Sequence, residues 1–301
     1  MILRIDKIAV PLPVPESPDP NGAAAVQELM GGKFGEMSTL MNYTFQSFNF
    51  RGREKVRPFY DLISNIAAEE WSHIEMVSAA INLMLTGATT QVDRRRAKGK
   101  SEHAAPLASA VNNRNSYHYL ASAQTVLPYD SMGNPWTGAN VFSSGNLKLD
   151  LLHNFFLECG ARANKIRVYE MCESPTARAA VGYLLVRGGL HIVAYAKALE
   201  KLTGCDVGKL LPIPDVSNKK FPEAKALEDK GWHRFMFRWS QDDYTRLGEI
   251  WNGTHPEDGS KLEVKDEIPE GVPWPEFEEE PQLSSPGVDP EMLKFFADKL
   301  G

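Results

Sequence analysis

Four long stretches of the chain place apolar residues three and four positions apart among charged residues, which is the pattern of amphipathic helices. They cover residues 23–50, 58–85, 147–172 and 174–204. Each is longer than the average helix of a globular protein, about 11–12 residues. The last begins at Ser174-Pro175, a suitable N-cap followed by proline at the first helical position. The pattern therefore predicts an all-α fold.

The links between these helices are unequal, and this predicts how they connect. The first and second helices are joined by a short link, and so are the third and fourth, whereas about sixty residues without strong periodicity, 88–146, separate the second from the third. Short links make antiparallel neighbours, and two hairpins joined by one long crossover form the topology of ferritin-like bundles. We predict an extended segment at residues 1–22 and a ferritin-like four-helix bundle at residues 23–204.

The remaining residues, 205–301, differ in composition from the bundle. Residues 231–251 carry aromatic and charged side chains at roughly helical spacing, and residues 252–289 are rich in Pro, Gly and Glu. Such a segment does not build its own core, so Trp274 and Phe277 need an apolar surface to pack on. We expect a mostly irregular C-terminal arm on the bundle or on a neighbouring subunit. The alternative on composition is a disordered acidic tail.

Charge and cysteine content exclude several classes of protein. The net charge of −6 gives no electrostatic reason to expect nucleic acid or an anionic membrane as a partner. The three cysteines show no CxxC spacing, which favours a reducing compartment over a disulfide framework. The N-terminus does not resemble a signal peptide, and no run approaches the roughly 20 uninterrupted apolar residues of a membrane helix. We expect a cytoplasmic protein.

A Glu-x-x-His motif, Glu70 to His73, lies in the second predicted helix. Residues three apart share a helical face, so both side chains can reach one metal ion. The apolar surroundings predict a buried helix, where a carboxylate and an imidazole need each other or a metal. A surface Glu–His pair is the alternative, and for an isolated motif it is the more common case.

Three further residues complete a repeated pattern. Each predicted hairpin carries a Glu on its first helix and a His on its second: Glu36 and His73, 37 residues apart, and Glu158 and His191, 33 residues apart. Taken singly, a helical Glu is usually solvated and an apolar His is usually a core residue. Di-metal carboxylate bundles supply one Glu from each of two helices and Glu-x-x-His from each of the other two.

The chain follows that scheme at five of six positions, and the sixth is Gly188. Three carboxylates and two imidazoles would then hold two metal ions, which leaves coordination positions for solvent and substrate. The pattern therefore predicts an open, catalytic two-metal site.

Four stretches resemble the manganese catalases: GGKFGEMSTLMNYTFQSFNFRG, IAAEEWSHIEMV, NFFLECGARANKIRVYEM and YLLVRGGLHIVAYAKALEKLTG. The similarity extends from the N-terminal MILRIDKIAV to the proline-rich tail. The resemblance implies two manganese ions bridged by Glu70 and solvent, one held by Glu36 and His73 and the other by Glu158 and His191. The pair would cycle between the two-divalent and two-trivalent states, oxidising one hydrogen peroxide to dioxygen and reducing the next to water. An oxygen and nitrogen ligand set suits manganese but does not exclude iron.

The resemblance also implies roles beside the metals. Tyr43 matches a family tyrosine that hydrogen-bonds to the ligands, with a core aromatic as the alternative. Some members carry a Glu at the position of Gly188, so its absence leaves the proton-transfer group open. Lys165 matches a lysine of other members, and Arg187 is a further candidate, with ordinary ion pairing as the alternative for both.

The resemblance also implies a calcium site and an oligomeric assembly. Some relatives bind calcium between subunits, and Asp61, Asn65 and Asn218 match such a site in part. Relatives form compact hexamers whose tails wrap neighbouring subunits, so we expect a homo-hexamer.

Glycines in the predicted helices admit two interpretations. Gly31, Gly32 and Gly35 lie in the first helix and Gly188 and Gly189 in the fourth, and each costs about 1 kcal/mol relative to alanine in a helix interior. They allow close helix packing or room for peroxide near the metals. The alternative is a local break in the helix.

Two other functions compete with the catalase. An iron oxidase on the same bundle usually keeps the second Glu-x-x-His, which this chain lacks. A non-enzymatic structural protein is the other alternative, since some spore-coat proteins resemble this family. Loss of ligands would favour it, but all five are present.

Overall fold

The computed structural model describes residues 6–85, 125–210, 215–240, 242–277 and 290–300. The bundle is built from helices α1 (Pro20–Gly31), α2 (Glu36–Phe48), α3 (Arg57–Leu85), α4 (Leu147–Met171) and α5 (Pro175–Thr203). Helices α1 and α2 pack on α3, α4 packs on α5, and α3 contacts α5. The all-α, ferritin-like bundle predicted from the sequence is confirmed.

Local sequence sets the helix ends. The side chain of Asp19 accepts a hydrogen bond from Gly22 N at the start of α1, so this helix begins three residues before the predicted start at residue 23. Ser174 caps α5 in the same way through Ala177 N. At the end of α5, Gly204 has φ 73°, a left-handed conformation that glycine adopts without strain.

The prediction of one continuous helix over residues 23–50 was wrong. The helix stops at Gly31, Gly32 is extended with ψ 165°, and α2 begins after Gly35. A Cβ atom on Gly31 would lie 2.5 Å from the carbonyl oxygen of Tyr129, and one on Gly35 would lie 2.8 Å from that of Met30. The glycines therefore allow a close approach of backbones at a break between two helices. By contrast, Gly188 and Gly189 lie inside the continuous helix α5.

Two apolar clusters fill the bundle. One contains Leu29, Met76 and Leu185, and the other contains Leu62, Phe155 and Leu190. On α3 the second cluster ends at Ala67 and the first begins at Met76, which leaves an interval between the clusters. On α5 the first cluster ends at Val186 and the second begins at Leu190. The predicted metal ligands of α3 and α5 fall in or next to these intervals. Helix α5 is apolar enough to cross a membrane by length and composition, but 94% of its most apolar window is buried inside the protein, as in the central helix of a bundle.

The crossover is described in part. Residues 125–146 lie against the first hairpin: Gln27 donates to the carbonyl oxygens of Leu127 and Tyr129, and Asn42 donates to that of Asn140 at 2.9 Å. The rest of the predicted crossover, up to residue 124, lies outside the described residues.

In its described residues the C-terminal segment is mostly irregular, as predicted, with short helices and strands between the irregular stretches. It contains α6 (Pro222–Glu228), β2 (Phe235–Phe237), β3 (Glu263–Lys265), β4 (Val272–Pro273) and α7 (Pro290–Leu300). Strand β2 pairs with β3 in parallel, and β4 pairs antiparallel with β1 (Lys7–Ile8).

The helical spacing seen over residues 231–251 does not form a long helix. Turns, strand β2 and a 3-10 turn at Leu247–Glu249 occupy this stretch instead. Its aromatic side chains pack on the bundle, where Met236 and Trp251 join the second apolar cluster. Trp274 and Phe277 pack against the first cluster, so these parts of the arm lie on the chain's own bundle.

Candidate metal centre

The five predicted ligands come from four helices and meet inside the bundle. Glu36 is the first residue of α2, Glu70 and His73 lie on α3, Glu158 on α4 and His191 on α5. Each is at most 1% exposed. Glu36 is therefore at a helix start and not in mid-helix, and the partial positive charge of that terminus stabilises its carboxylate.

The five side chains form two overlapping groups of three. Glu36, Glu70 and His73 bring one ligand atom each within 4.8 Å of one another, and so do Glu70, Glu158 and His191. Glu70 belongs to both groups. Its Oε2 lies 3.0 Å from His73 Nδ1, and its Oε1 lies 3.0 Å from His191 Nδ1. One carboxylate thus presents an oxygen to each group, as a bridging ligand does.

Several atoms of these groups lack ordinary hydrogen bonds. Among the described residues, Glu70 Oε1, Glu158 Oε2 and His191 Nδ1 are buried and have no hydrogen-bond partner. Leaving one such atom unpaired costs about 1–3 kcal/mol. One metal ion bound between them would satisfy all three atoms together, so this group of residues fits a metal ion.

The charge of the pocket favours cations. Burial alone would lower the pKa of His73, but the carboxylates of Glu70 and Glu36 outweigh it and raise the pKa to about 9. The pKa of His191 is also raised well above its ordinary value: burial opposes this, and the nearby carboxylates of Glu158, Glu69 and Glu70 outweigh it. The carboxylates therefore stabilise positive charge between them.

A fourth buried carboxylate, Glu69, was not predicted from the sequence. Its Oε2 lies 3.5 Å from His191 Nε2. Its two oxygens also form a two-point ion pair with Arg187 Nε and Nη2, the second at 3.0 Å. Glu69 lies four residues before His73, on the same helical face, and that spacing was the available signal.

Arg187 does not contact the five ligands in the described structure. Its guanidinium donates to Glu69 and to the carbonyl oxygens of Trp232 and Phe235. Burial raises the pKa of the Glu69 carboxyl, but Arg187 and His191 outweigh this and hold it below its usual range. Arg187 is thus placed to act on His191 through Glu69.

Two hydroxyl groups and one ammonium group touch the ligands directly. Tyr43 donates to Glu158 Oε1 at 2.7 Å, and Thr39, which was not predicted, donates to Glu70 Oε2 at 2.9 Å. Lys165 Nζ lies 2.9 Å from Glu36 Oε1. A Cβ atom on Gly188 would lie 3.2 Å from that nitrogen. The lysine ammonium therefore occupies the space beside Gly188, where some relatives carry a Glu.

The three predicted calcium ligands have protein partners in the described structure. Asp61 Oδ2 accepts from Arg246 N at 2.9 Å, and Asn65 Oδ1 accepts from Trp239 N at 2.9 Å. Asn218 Oδ1 accepts from Arg162 at 2.8 Å. The calcium site stays a prediction that these contacts do not support.

Comparison with known proteins decides the family. The family model described as "Manganese containing catalase" matches residues 1–292. The chain belongs to the manganese-containing catalase family. A manganese catalase of Bacillus subtilis (strain 168) is 30% identical over 269 residues, which covers 87% of this chain and 92% of the relative. A manganese catalase of Lactiplantibacillus plantarum is 28% identical, covering 86% of this chain and 88% of the relative.

A solved structure of this family shares the fold. The chain matches the crystal structure of KatB, a manganese catalase from Anabaena, with a TM-score of 0.53 at 22% identity. The match covers 89% of this chain and 100% of KatB. The family membership makes the chain an enzyme of the manganese catalase type and implies manganese as its metal and hydrogen peroxide as its substrate.

Proposed function

We propose that the chain disproportionates hydrogen peroxide at a pair of manganese ions held by Glu36, Glu70, His73, Glu158 and His191. The observation that carries this proposal is the position of Glu70, which belongs to both groups of ligand atoms and presents one oxygen to each imidazole. The family supplies the metal and the substrate, and the ligand geometry supports their number and arrangement.

The reaction balances over two half-reactions. Oxidation of one peroxide to dioxygen releases two electrons and two protons, and reduction of the next peroxide to two waters takes up the same number. When bound, a manganese pair stores the two electrons by cycling between the two-divalent and two-trivalent states. Two protons must therefore be kept near the site between the half-reactions, by side chains or by solvent.

Lys165 is the proton carrier we propose. Its Nζ contacts Glu36 Oε1 and lies beside Gly188, within the ligand pocket and 1% exposed. Burial lowers its pKa, but Glu36, Glu158 and Glu70 outweigh this and raise it. The ammonium is therefore charged in the resting site, so it can donate one proton when a peroxide is reduced and take one back when the next peroxide is oxidised.

Other residues fix the ligands. Tyr43 and Thr39 hold Glu158 and Glu70 by their hydroxyl groups, and Arg187 holds Glu69 beside His191. Partners of this kind orient ligands and tune the metal. Since all five ligands are at most 1% exposed, the site favours a substrate as small as peroxide.

The test measures manganese content and oxygen release from peroxide with azide present, which would inhibit a heme enzyme. We expect two manganese ions per chain and activity that persists in azide. Glu70→Gln and Glu158→Gln should lose manganese and activity. Glu170→Gln, an exposed Glu on the same helix as Glu158, is the matched control and should keep both. Full activity in Glu70→Gln would contradict the assignment of Glu70 as a metal ligand.

We also propose a cytoplasmic homo-hexamer, as the resemblance implies. Exposed aromatic side chains on α2 and α4 support association: Phe48 is 66% exposed, Phe156 59% and Phe45 42%. Light scattering should give six times the chain mass of 33.5 kDa, and a monomeric mass would contradict the assembly.

A further inference from the structure

A second cluster of metal-ligating side chains lies in the C-terminal segment. His233, His255 and Asp258 bring one ligand atom each within 4.8 Å of one another. His233 and His255 are buried, at 8% and 5% exposed, and their rings meet edge to face with centroids 4.9 Å apart. None of the three contacts the five manganese ligands in the part of the chain that the structure describes.

We propose that His233, His255 and Asp258 bind a zinc-type divalent cation, independent of the manganese pair. Two imidazoles and one carboxylate are a ligand set that zinc uses in open sites, where water fills the fourth position. Asp258 is on the exposed side of the cluster, so a water can reach the ion there.

The two imidazoles face different oxygens of the Asp258 carboxylate. Zinc bonds of about 2.0–2.2 Å place tetrahedral ligand atoms about 3.4 Å apart. His255 Nδ1 lies 3.5 Å from Asp258 Oδ1, so an ion bound through Oδ2 requires the carboxylate to turn toward His255. His233 Nε2 lies 2.9 Å from Asp258 Oδ2, a hydrogen bond that a cation would replace as the two atoms separate by about half an ångström.

The carboxylate is already held facing His233. Asp258 Oδ1 accepts hydrogen bonds from Ser260 N at 3.0 Å and Ser260 Oγ at 2.7 Å. Such partners around a ligand fix its direction and commonly accompany metal sites. Asp258 Oδ2 then faces His233.

The proposed cation site adjoins the segment that supports Arg187. His233 follows Trp232, whose carbonyl oxygen accepts from Arg187, and Arg187 holds Glu69 beside His191. His255 and Asp258 lie on the turn between Thr254 and Lys261, which pair as a β-bridge. A cation would therefore fasten this turn to the segment that supports Arg187, and it would stabilise the C-terminal segment.

The experiment titrates the manganese-loaded full chain with Co²⁺, while the retained manganese is counted. We expect one added Co²⁺ per chain with the visible absorption of a four-coordinate ion and no loss of manganese. Asp258→Asn should weaken this binding by about tenfold or more. His255→Gln should do the same while leaving the Ser260–Asp258 bonds in place.

The control is Glu257→Gln, which removes a neighbouring carboxylate that pairs with Lys219 and should leave Co²⁺ binding unchanged. Added Zn²⁺ should raise Tm for the wild type and this control but not for Asp258→Asn. Three results would overturn the proposal: no Co²⁺ binding by the manganese-loaded wild type, Co²⁺ affinity equal to that of the wild type in both cluster variants, or a cobalt signal that appears only as manganese leaves.

Discussion

The hydroxyl of Tyr43 is 2.7 Å from Glu158 Oε1 and fixes a proposed ligand whose other oxygen is buried and has no hydrogen-bond partner among the described residues. Tyr43→Phe keeps the ring but removes this hydrogen bond. We expect manganese affinity to fall by about 10–100-fold, the usual loss when a group that supports a ligand is removed. Competition with a chelator measures it.

Tyr195→Phe is the matched control. Its ring lies 5.2 Å from that of Tyr43, but its buried hydroxyl makes no hydrogen bond to any of the five proposed ligands. This variant should keep manganese affinity close to wild type. Equal affinity in all three proteins would contradict the role of Tyr43.

The buried pair of Glu69 and Arg187 predicts strong coupling between two residues. Removing either charge leaves the other buried without its partner, which destabilises a protein by about 3–5 kcal/mol. Glu69→Met and Arg187→Met should each show such a loss in urea unfolding of manganese-loaded protein. The double variant should lose much less than the sum of the two. Simple additivity would show that the pair does not act as a unit.

The five proposed ligands could be picked out from the sequence because helical spacing and the paired Glu and His positions are local features of the chain, and the structure brings these side chains together. Thr39 was missed because nothing in its own neighbourhood distinguishes it from an ordinary helix residue, and Glu69 was missed although its spacing of four residues from His73 was an available signal. Their roles depend on α5 and α2 approaching α3. Arg187 was found as a charged residue near His191, but its actual partners come from residues 69, 232 and 235.

The break between helices α1 and α2 places Glu36 at the start of α2. Gly31 permits the close contact with the Tyr129 backbone at this break. A Cβ atom there would lie 2.5 Å from Tyr129 O and 2.6 Å from Tyr129 C, both backbone atoms that cannot rotate away. Gly31→Ala should therefore lower the free energy of unfolding by about 1–3 kcal/mol, as overpacking does. Thermal or urea unfolding measures it.

Gly138→Ala provides the comparison in the segment that Gly31 contacts. A Cβ atom on Gly138 would meet no described atom within 4 Å, so its effect should stay within about 0.5 kcal/mol. A Gly31→Ala variant as stable as Gly138→Ala would contradict the close approach.

The break between α1 and α2 also shows that apolar spacing does not reveal long-range contacts. The periodicity continues through residues 31–35, so it predicts one helix. The break is set by Tyr129, about a hundred residues away, and by the caps at Gly32 and Gly35. Contacts of that range are absent from a local pattern.

For the whole molecule, the C-terminal segment is part of the bundle's core. Phe221 and Leu227 join the first apolar cluster, and the carbonyl oxygens of Trp232 and Phe235 hold Arg187. A chain ending at Gly204 should therefore bind more of an apolar dye and lose manganese. A chain ending at residue 289 removes only α7 from the described structure, where Phe295 and Leu300 are 56% and 87% exposed, and should keep its manganese. Full manganese content in the shorter chain would contradict this view of the segment.

Composition alone did not distinguish a packed arm from a disordered tail for this segment, because both are rich in Pro, Gly and Glu. Its aromatic residues and the pairing of β4 with β1 are what attach it, and the partner strand lies at the other end of the chain.

Oxygen release from peroxide, followed as manganese is added to metal-free protein, tests most directly whether two manganese ions bridged by Glu70 disproportionate peroxide. We expect activity to rise to a plateau at two manganese ions per chain, with one dioxygen released for every two peroxides consumed. A plateau at one ion, peroxide loss without oxygen release, or oxygen uptake with iron as the active metal would contradict it.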